Sequence, residues 1–449
     1  MRDRSRRQFI ATTTAASLLP RFAAGKSGAS ANGKLNLAVV GAGGMGGYAV
    51  SVARTENFVA LCDVDEARAS KAIEKNSGVP FFRDFRVMLD KMGKEIDAVL
   101  ISTPDHTHFP IAMAAMEMGK HVFVQKPLAH NIWECRTLQK AAAHYKVITQ
   151  MGNQGHNFGG MHRIKEWVDA GVIGDVSEVI TWTNRPNKPY FVPPSSYPPK
   201  NGPVPDTLDW DLWQGPVARR PYSKDYVPIR WRGWWDYGCG SLGDIGCHTF
   251  DAPFWVLNLG MPTKVEVEQD DPPGDGFITM SSLVTYYFPA RDGKPPVTLK
   301  WYEKGRDAPK PKRWDEADSL DGEGGMYMEG TKETLYHAGM RPTSPTLTPK
   351  ARFMEKRKML SEIERMAKTP GPIEQWVAAI KGEGPMPGSS FDYAAKLTEM
   401  VLLGAMAQRT GKTIEWDPVK MQVKGHPEFA SLIKEPTLKG WEYGENLWK

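Results

Sequence analysis

The stretch Gly41-Ala42-Gly43-Gly44-Met45-Gly46 constrains this chain most. The apolar run Leu35-Asn36-Leu37-Ala38-Val39-Val40 before it reads as a short strand, and Tyr48 to Arg54 after it reads as a helix. Glycines so spaced between strand and helix permit a tight turn, let the backbone approach a pyrophosphate and aim the helix N-terminus at the anion. A second strand, Phe58-Val59-Ala60-Leu61-Cys62, ends at Asp63, where an acid is expected to accept hydrogen bonds from an adenosine ribose. Gly41, Gly43, Gly44, Met45, Gly46 and Asp63 therefore form the expected dinucleotide cradle. Asp63-Val64-Asp65 has no adjacent Arg, so a 2′-phosphate would meet negative charge, which favours NAD over NADP.

From Lys34 to about Gly152 strand and helix alternate, as in an α/β, doubly wound parallel sheet of Rossmann type. Beyond Gly155 the pattern changes to alternating strands over 263–302, implying an α+β domain with an open, mainly antiparallel sheet. Prolines crowd Pro186 to Pro228, a segment too long for an idle loop and read as functional or as a partner arm, with Trp210-Asp211-Leu212-Trp213 pinning it to the body. The expected divisions are a leader over 1–31, a dinucleotide-binding domain over 32–155, a substrate-binding and oligomerisation domain over 156–411, and a tail over 412–449 packing on the body.

The formal net charge of +5 comes from the first 31 residues, which hold six Lys or Arg against one acid. The remainder is charge-balanced, so no global field favours nucleic acid. Those 31 residues, with Ser5-Arg6-Arg7-Gln8-Phe9-Ile10, an apolar and small stretch to Leu19 and Ala29-Ser30-Ala31, resemble a twin-arginine export signal. The expected location is periplasmic, through the twin-arginine machinery, with no membrane anchor. Four cysteines are too few for a disulfide scaffold, and pairing of Cys239 with Cys247 is left open. No spacing indicates a metal site.

Thr103-Pro104-Asp105-His106-Thr107-His108 follows an apolar strand directly, so it faces the crevice of the glycine loop. Lys126 also follows a strand, and Pro127 biases it towards an extended backbone; the spacing alone favours an ordinary solvated lysine. In Gly243-Asp244-Ile245-Gly246-Cys247-His248 a helix would set Asp244 one turn from His248, where a carboxylate can orient an imidazole that accepts a hydroxyl proton. Gly246 and Pro253 make this an imperfect helix, and the spacing alone favours a capping Asp beside a packed His. Arg230-Trp231-Arg232-Gly233-Trp234-Trp235, with Asn153-Gln154-Gly155-His156 and Arg163, offers aromatic faces and polar edges suited to a polyhydroxylated ring.

Together the glycine loop, Asp63, Thr103 to His108, Gln125-Lys126-Pro127 and Asp244 with His248 resemble the Gfo/Idh/MocA oxidoreductases. The resemblance implies Lys126, Asp244 and His248 as the catalytic set and reversible oxidation of a sugar or cyclitol hydroxyl, here assigned to C3 of a sugar or glycoside. The assigned cofactor contacts extend to Thr103, Pro104, His106, His108, Gln125 and Gln154, and the substrate contacts are Asn153, His156, Arg163, Arg232 and Trp234. It further implies a homo-oligomer assembled through the C-terminal sheet. Gln125 replaces the family's usual Glu, as in exported members acting on glycosides or their 3-keto forms. Which of Lys126 and His248 takes the proton stays open. Two other readings stand beside a tightly held NAD and net dehydrogenation: an NAD-dependent glycosidase working through a transient keto sugar, and a non-catalytic carbohydrate-binding protein.

Overall fold

Apolar runs bounded by Gly, Pro or Asp pair side by side in the first third of the chain. They are β1 (Asn36–Val40), β2 (Asn57–Cys62), β3 (Phe81–Phe82), β4 (Ala98–Ile101), β5 (His121–Val124) and β6 (Thr149–Met151), forming one parallel sheet in the order β3-β2-β1-β4-β5-β6. The computed structural model describes residues 33–270, 276–316, 318–444 and 447–448. The leader and the expected export signal lie outside the described residues. Strand β4 is buried along its whole length, as a strand covered on both faces must be. The covering helices are α1 (Met45–Val52), α2 (Glu66–Lys75), α3 (Phe85–Met92), α4 (Asp105–Glu117) and α5 (Ile132–Tyr145). Asp65, Asp84 and Asn131 cap α2, α3 and α5 by accepting from the amides of Arg68, Arg86 and Glu134. The strand order reverses between β1 and β4, and that switch point opens a crevice beyond their carboxyl ends.

After α6 (Gly159–Asp169) the chain builds a second sheet from β7 (Val176–Thr183), β8 (Lys264–Gln269), β9 (Ser282–Phe288), β10 (Val297–Glu303), β11 (Gly324–Gly330), β12 (Thr334–Ala338) and β13 (Thr346–Thr348). Two later strands, β14 (Ile414–Asp417) and β15 (Gln422–Val423), complete the order β13-β12-β11-β7-β10-β9-β8-β14-β15. Every pairing is antiparallel except that of β7 with β10. The expected tail thus opens with two strands of the sheet.

Two helices tie the halves together. In α7 (Pro372–Ile380) the buried Trp376 stands edge-on to Phe123 of β5 and donates its indole N–H to the Ile148 carbonyl, so this late segment packs on the first sheet. In α8 (Phe391–Thr410) the buried Glu399 accepts a two-pronged hydrogen bond from Arg136 of α5 and a third from Trp416 of β14. The proline-rich segment also folds back on its own chain. Asp209 donates its amide to the Val64 carbonyl at 2.8 Å, Thr207 accepts from the Glu66 amide at 3.1 Å, and Leu208 forms a β-bridge with Asp65. Trp210, Trp213, Tyr226, Trp234 and Tyr237 pack into one aromatic cluster beneath it. All four cysteines are buried and free. Among the described residues no helix is long and apolar enough to cross a membrane.

The segment after Ile433 is held by Glu435, which meets His130 Nδ1 at 2.6 Å and Arg409 at 2.5 Å. Burial pulls the His130 pKa down, but Glu435 foremost, with Glu134 and Asp105, outweighs it and lifts the group to about 9. A raised histidine stabilises the fold fully below its unfolded value of 6.5 and loses that contribution as pH rises through about 9. Urea midpoints measured between those limits should fall more steeply for the native chain than for His130→Gln.

Candidate active site

The glycine turn is dictated by contact. Gly41 has φ +81°, and a Cβ there would lie 2.8 Å from the backbone of Ser102; a Cβ on Gly46 would strike the Gly41 carbonyl. The Gly43 amide donates to Asp63 Oδ2 at 2.9 Å and the Asp65 amide to Oδ1 at 3.0 Å, which fixes the carboxylate at the crevice rim. Burial raises the Asp63 pKa and these two amide bonds oppose it. A cavity of 380 Å³ begins at Gly41, Gly43, Gly44, Met45 and Asp63. It continues past Thr103 and Pro104 to Gln125 and Lys126, and is closed from the second domain by Trp231 and Arg232. Gly46, at the start of α1, does not line it; its part is the close turn.

The surroundings fit a dinucleotide. Backbone is open to close approach at the glycines, and the buried hydroxyls of Ser102 and Thr103 have no partner among the described residues. Arg68 and Arg83 also line the cavity near Asp63, brought there by α2 and by the turn after β3; adjacency in sequence misses both. Leu208 and Trp213 of the folded-back segment and Trp441 from the C-terminal end close the same space.

His106 and His108 do not line the cavity. His106 lies between the carbonyls of Trp213 and Tyr237, 2.9 and 3.2 Å from its ring nitrogens, and burial pulls it down to about 3. His108 sits between the carbonyls of Pro127 and Thr103, at 2.8 and 2.9 Å. Both are buried and position backbone: His106 holds the aromatic cluster, and His108 spaces the two loops that flank the cavity. Gln125 lies against Gly152, where a Cβ would come within 2.7 Å of its Oε1.

Lys126 points across to the second domain. Its Nζ donates to the Asp244 carbonyl at 2.8 Å and to Asp244 Oδ1 at 3.0 Å. Arg185 reaches Oδ2 of the same carboxylate at 2.5 Å and Arg232 reaches Oδ1 at 3.3 Å. Burial alone would raise the Asp244 pKa, yet Lys126, Arg232 and Arg185 together hold it far below the usual carboxylate range. Tyr190 stacks beneath both arginines, 4.7 Å from Arg185 and 5.2 Å from Arg232.

The expected Asp244–His248 pair does not form. Leu242–Gly246 is a π turn, so residues four apart no longer stand above one another, and the Asp244 carboxylate is spent on three cations. His248 instead accepts from Arg341 Nη2 at 3.2 Å through Nε2, and its Nδ1 has no partner among the described residues. Burial first, then Arg341 and Lys126, hold His248 neutral, well below its ordinary value. Gln154 joins this end of the site by accepting from Arg341 at 3.5 Å, away from the dinucleotide cavity.

Other expected substrate contacts are structural. Asn153 and His156 both bond to the buried Asp251, at 2.9 Å each, and Tyr393 completes that group. Arg163 pairs with Glu166 on α6. Trp234 is buried in the aromatic cluster, with its indole N–H on the Asp225 carbonyl. Arg185 and Arg341 are the residues sequence reasoning missed. Arg185 follows the end of β7, a position that could have drawn attention; Arg341 sits in the turn between β12 and β13 with no local pattern to mark it. Among the described residues no cluster of His, Cys, Asp or Glu could hold a metal ion.

Comparison with known proteins agrees with this architecture. Residues 35–153 match the model of the Gfo/Idh/MocA oxidoreductase family, NAD-binding Rossmann fold, and residues 160–294 match that family's C-terminal alpha/beta domain. The chain belongs to this family, and its first domain is the family's NAD-binding unit. Inositol 2-dehydrogenase 3 of Saccharopolyspora erythraea is 35% identical over 119 residues, 26% of this chain and 34% of that protein. A glycosyl hydrolase family 109 protein of Solibacter usitatus is 30% identical over 159 residues, 32% and 36% of the two chains. The chain therefore spans about a third of the length of these curated relatives. A levoglucosan dehydrogenase solved with NADH and levoglucosan shares the fold, with TM-score 0.57 and 17% identity over 85% of this chain and 99% of the other.

Gly41→Ala places a methyl against the Ser102 backbone in a conformation that disfavours side chains, and should weaken NADH binding roughly tenfold or more. Fluorescence titration with NADH, at unchanged circular dichroism, measures this.

Proposed function

We propose that this protein is an NAD-dependent dehydrogenase of a carbohydrate ring hydroxyl, at C3 of a sugar or glycoside. The observation that carries the reading is the continuous cavity that runs from the glycine turn to Lys126 and Arg232, so that the dinucleotide cradle and the lysine open onto one space. NAD, when bound, supplies the hydride acceptor. Lys126 commits two of its N–H groups to Asp244, which leaves a third to donate to the substrate oxygen. Asp244 holds the ammonium in place and remains ionised throughout the physiological range. His248 is fully buried and, like Arg341, is not among the residues lining that cavity; held neutral with its Nε2 lone pair facing Arg341, it takes the hydroxyl proton only where the substrate displaces Arg341 from that position.

Closure of the cavity by Leu208, Trp213 and Trp441 supports a tightly retained NAD. Such retention suits export, which the leader over 1–31 supports; N-terminal sequencing of periplasmic protein should find the chain starting beyond Ala31. Assembly through the second sheet is part of the same reading, supported by the half-exposed Tyr287, Tyr302 and Tyr336 on its strands. A second reading, glycoside cleavage through a transient keto sugar, is favoured by the likeness to the family 109 hydrolase. Aglycone release without NADH accumulation would mark it.

Absorbance at 340 nm on adding glycosides to the NAD-loaded protein tests the main reading. Lys126→Ala should lower the rate about 10²- to 10⁴-fold, and unchanged turnover would exclude Lys126 from the chemistry.

A further inference from the structure

The polar end of the site holds more positive charge than its own residues neutralise. Lys126, Arg185 and Arg232 converge on one carboxylate, Asp244. Arg341 stands within electrostatic reach of Asp244 and Arg185 but forms no ion pair among the described residues: its Nη2 meets Gln154 Oε1 at 3.5 Å and the neutral His248 at 3.2 Å, and its buried Nε has no hydrogen-bond partner there. The other acids nearby are already engaged. Asp105 accepts from the Cys239 amide and is pushed towards its neutral form by burial, and Glu323 pairs with Lys188 at the surface. Asp251 is enclosed by Asn153, His156 and Tyr393.

A half-buried guanidinium with so few acceptors is costly unless something anionic completes it. The backbone that carries Arg341 is fixed. A Cβ on Gly160 would lie 2.2 Å from the Pro342 carbonyl, and Gly155 lies against the side chains of Arg341 and Pro342, so the turn carrying Arg341 is pressed onto α6 and the segment before it. Arg341 is therefore presented to the site by design of the backbone around it.

We propose that the substrate is an acidic sugar whose carboxylate is bound by the Arg341 guanidinium. The inference rests on the dehydrogenase reading for the site and names its substrate class. A carboxylate fits the planar guanidinium fork, and is a far stronger acceptor than a neutral imidazole. Its binding draws Arg341 from His248 Nε2 and leaves that lone pair facing the sugar, so the acidic group both anchors the substrate and releases the base. A neutral sugar leaves Arg341 on His248.

The test compares methyl glucoside and methyl galactoside with their uronic acid counterparts and with methyl glucoside 6-sulfate, using NAD-loaded protein. Turnover is read at 340 nm and binding by calorimetry. A uronide should exceed its neutral partner roughly ten- to hundredfold in kcat/KM and in affinity. Arg341→Gln should abolish most of that difference, and Arg341→Lys, which keeps the charge but not the fork, should restore part of it. Unchanged NADH affinity in both variants controls for folding. Oxidation of neutral sugars with no advantage for the uronides, or an advantage that survives in Arg341→Gln, overturns the carboxylate subsite and leaves the dehydrogenase reading intact. Preference for the sulfate ester over the uronide overturns the carboxylate assignment. Uronide binding that depends on Arg341 but yields no NADH supports the subsite and overturns the dehydrogenase reading instead.

Discussion

The Asp244 carboxylate is the group on which this molecule's working half depends. It is nearly inaccessible to solvent, yet it stays ionised because Lys126 arrives from the first domain, Arg185 from the end of β7 and Arg232 from the segment before the π turn. Three parts of the fold are thus clamped to one charge. Removing the carboxylate would leave three cations in mutual repulsion within a poorly hydrated space, a cost that well-packed apolar neighbours could not offset. The same clamp places the Lys126 ammonium at the far end of the cavity that starts at the glycine turn. Structure and chemistry are one arrangement here: the ion cluster that joins the domains also aims the residue proposed to meet the substrate.

A second constraint acts at the other end of the cavity. The backbone hydrogen bonds between Asp209 and Val64, and between Glu66 and Thr207, attach the proline-rich segment to the turn that follows Asp63. His106, held between the Trp213 and Tyr237 carbonyls, extends that attachment into the aromatic cluster. The cofactor end is therefore roofed by residues belonging to the second domain in sequence and to the first in space. Burial keeps His106 neutral against the pull of the two carbonyls, so its single ring N–H donates to one of them and the other is a close contact.

Legibility in the sequence followed the range of the interactions. The first sheet could be read because each strand is a short apolar run with its own stop signal, and the glycine turn because its spacing is a local steric requirement. Lys126 could be read because it directly follows β5. The second sheet shows in the sequence as alternation over 263–302, but its last two strands, of four and two residues, carry too little pattern to stand out from a tail. The link between Asp244 and His248 failed because a π turn shifts helical phase by one residue, which no composition signals. His106 and His108 look like cofactor contacts in a polar motif, and only the packing reveals that their rings face backbone carbonyls instead. Arg341 was invisible: it arrives from a turn nearly a hundred residues beyond His248 in the chain.

In the proposed function, the space between the glycine turn and the Lys126–Asp244 cluster is where a ring C–H of a carbohydrate meets NAD. Isotope transfer tests it most directly. The NAD-loaded protein is incubated with a glycoside or uronide deuterated at C3, and the cofactor and sugar are then analysed by mass spectrometry. One deuterium is expected in the recovered NADH, with a keto sugar lacking it. Deuterium retained wholly in the sugar, with the sugar demonstrably bound, would exclude hydride transfer from that carbon to NAD.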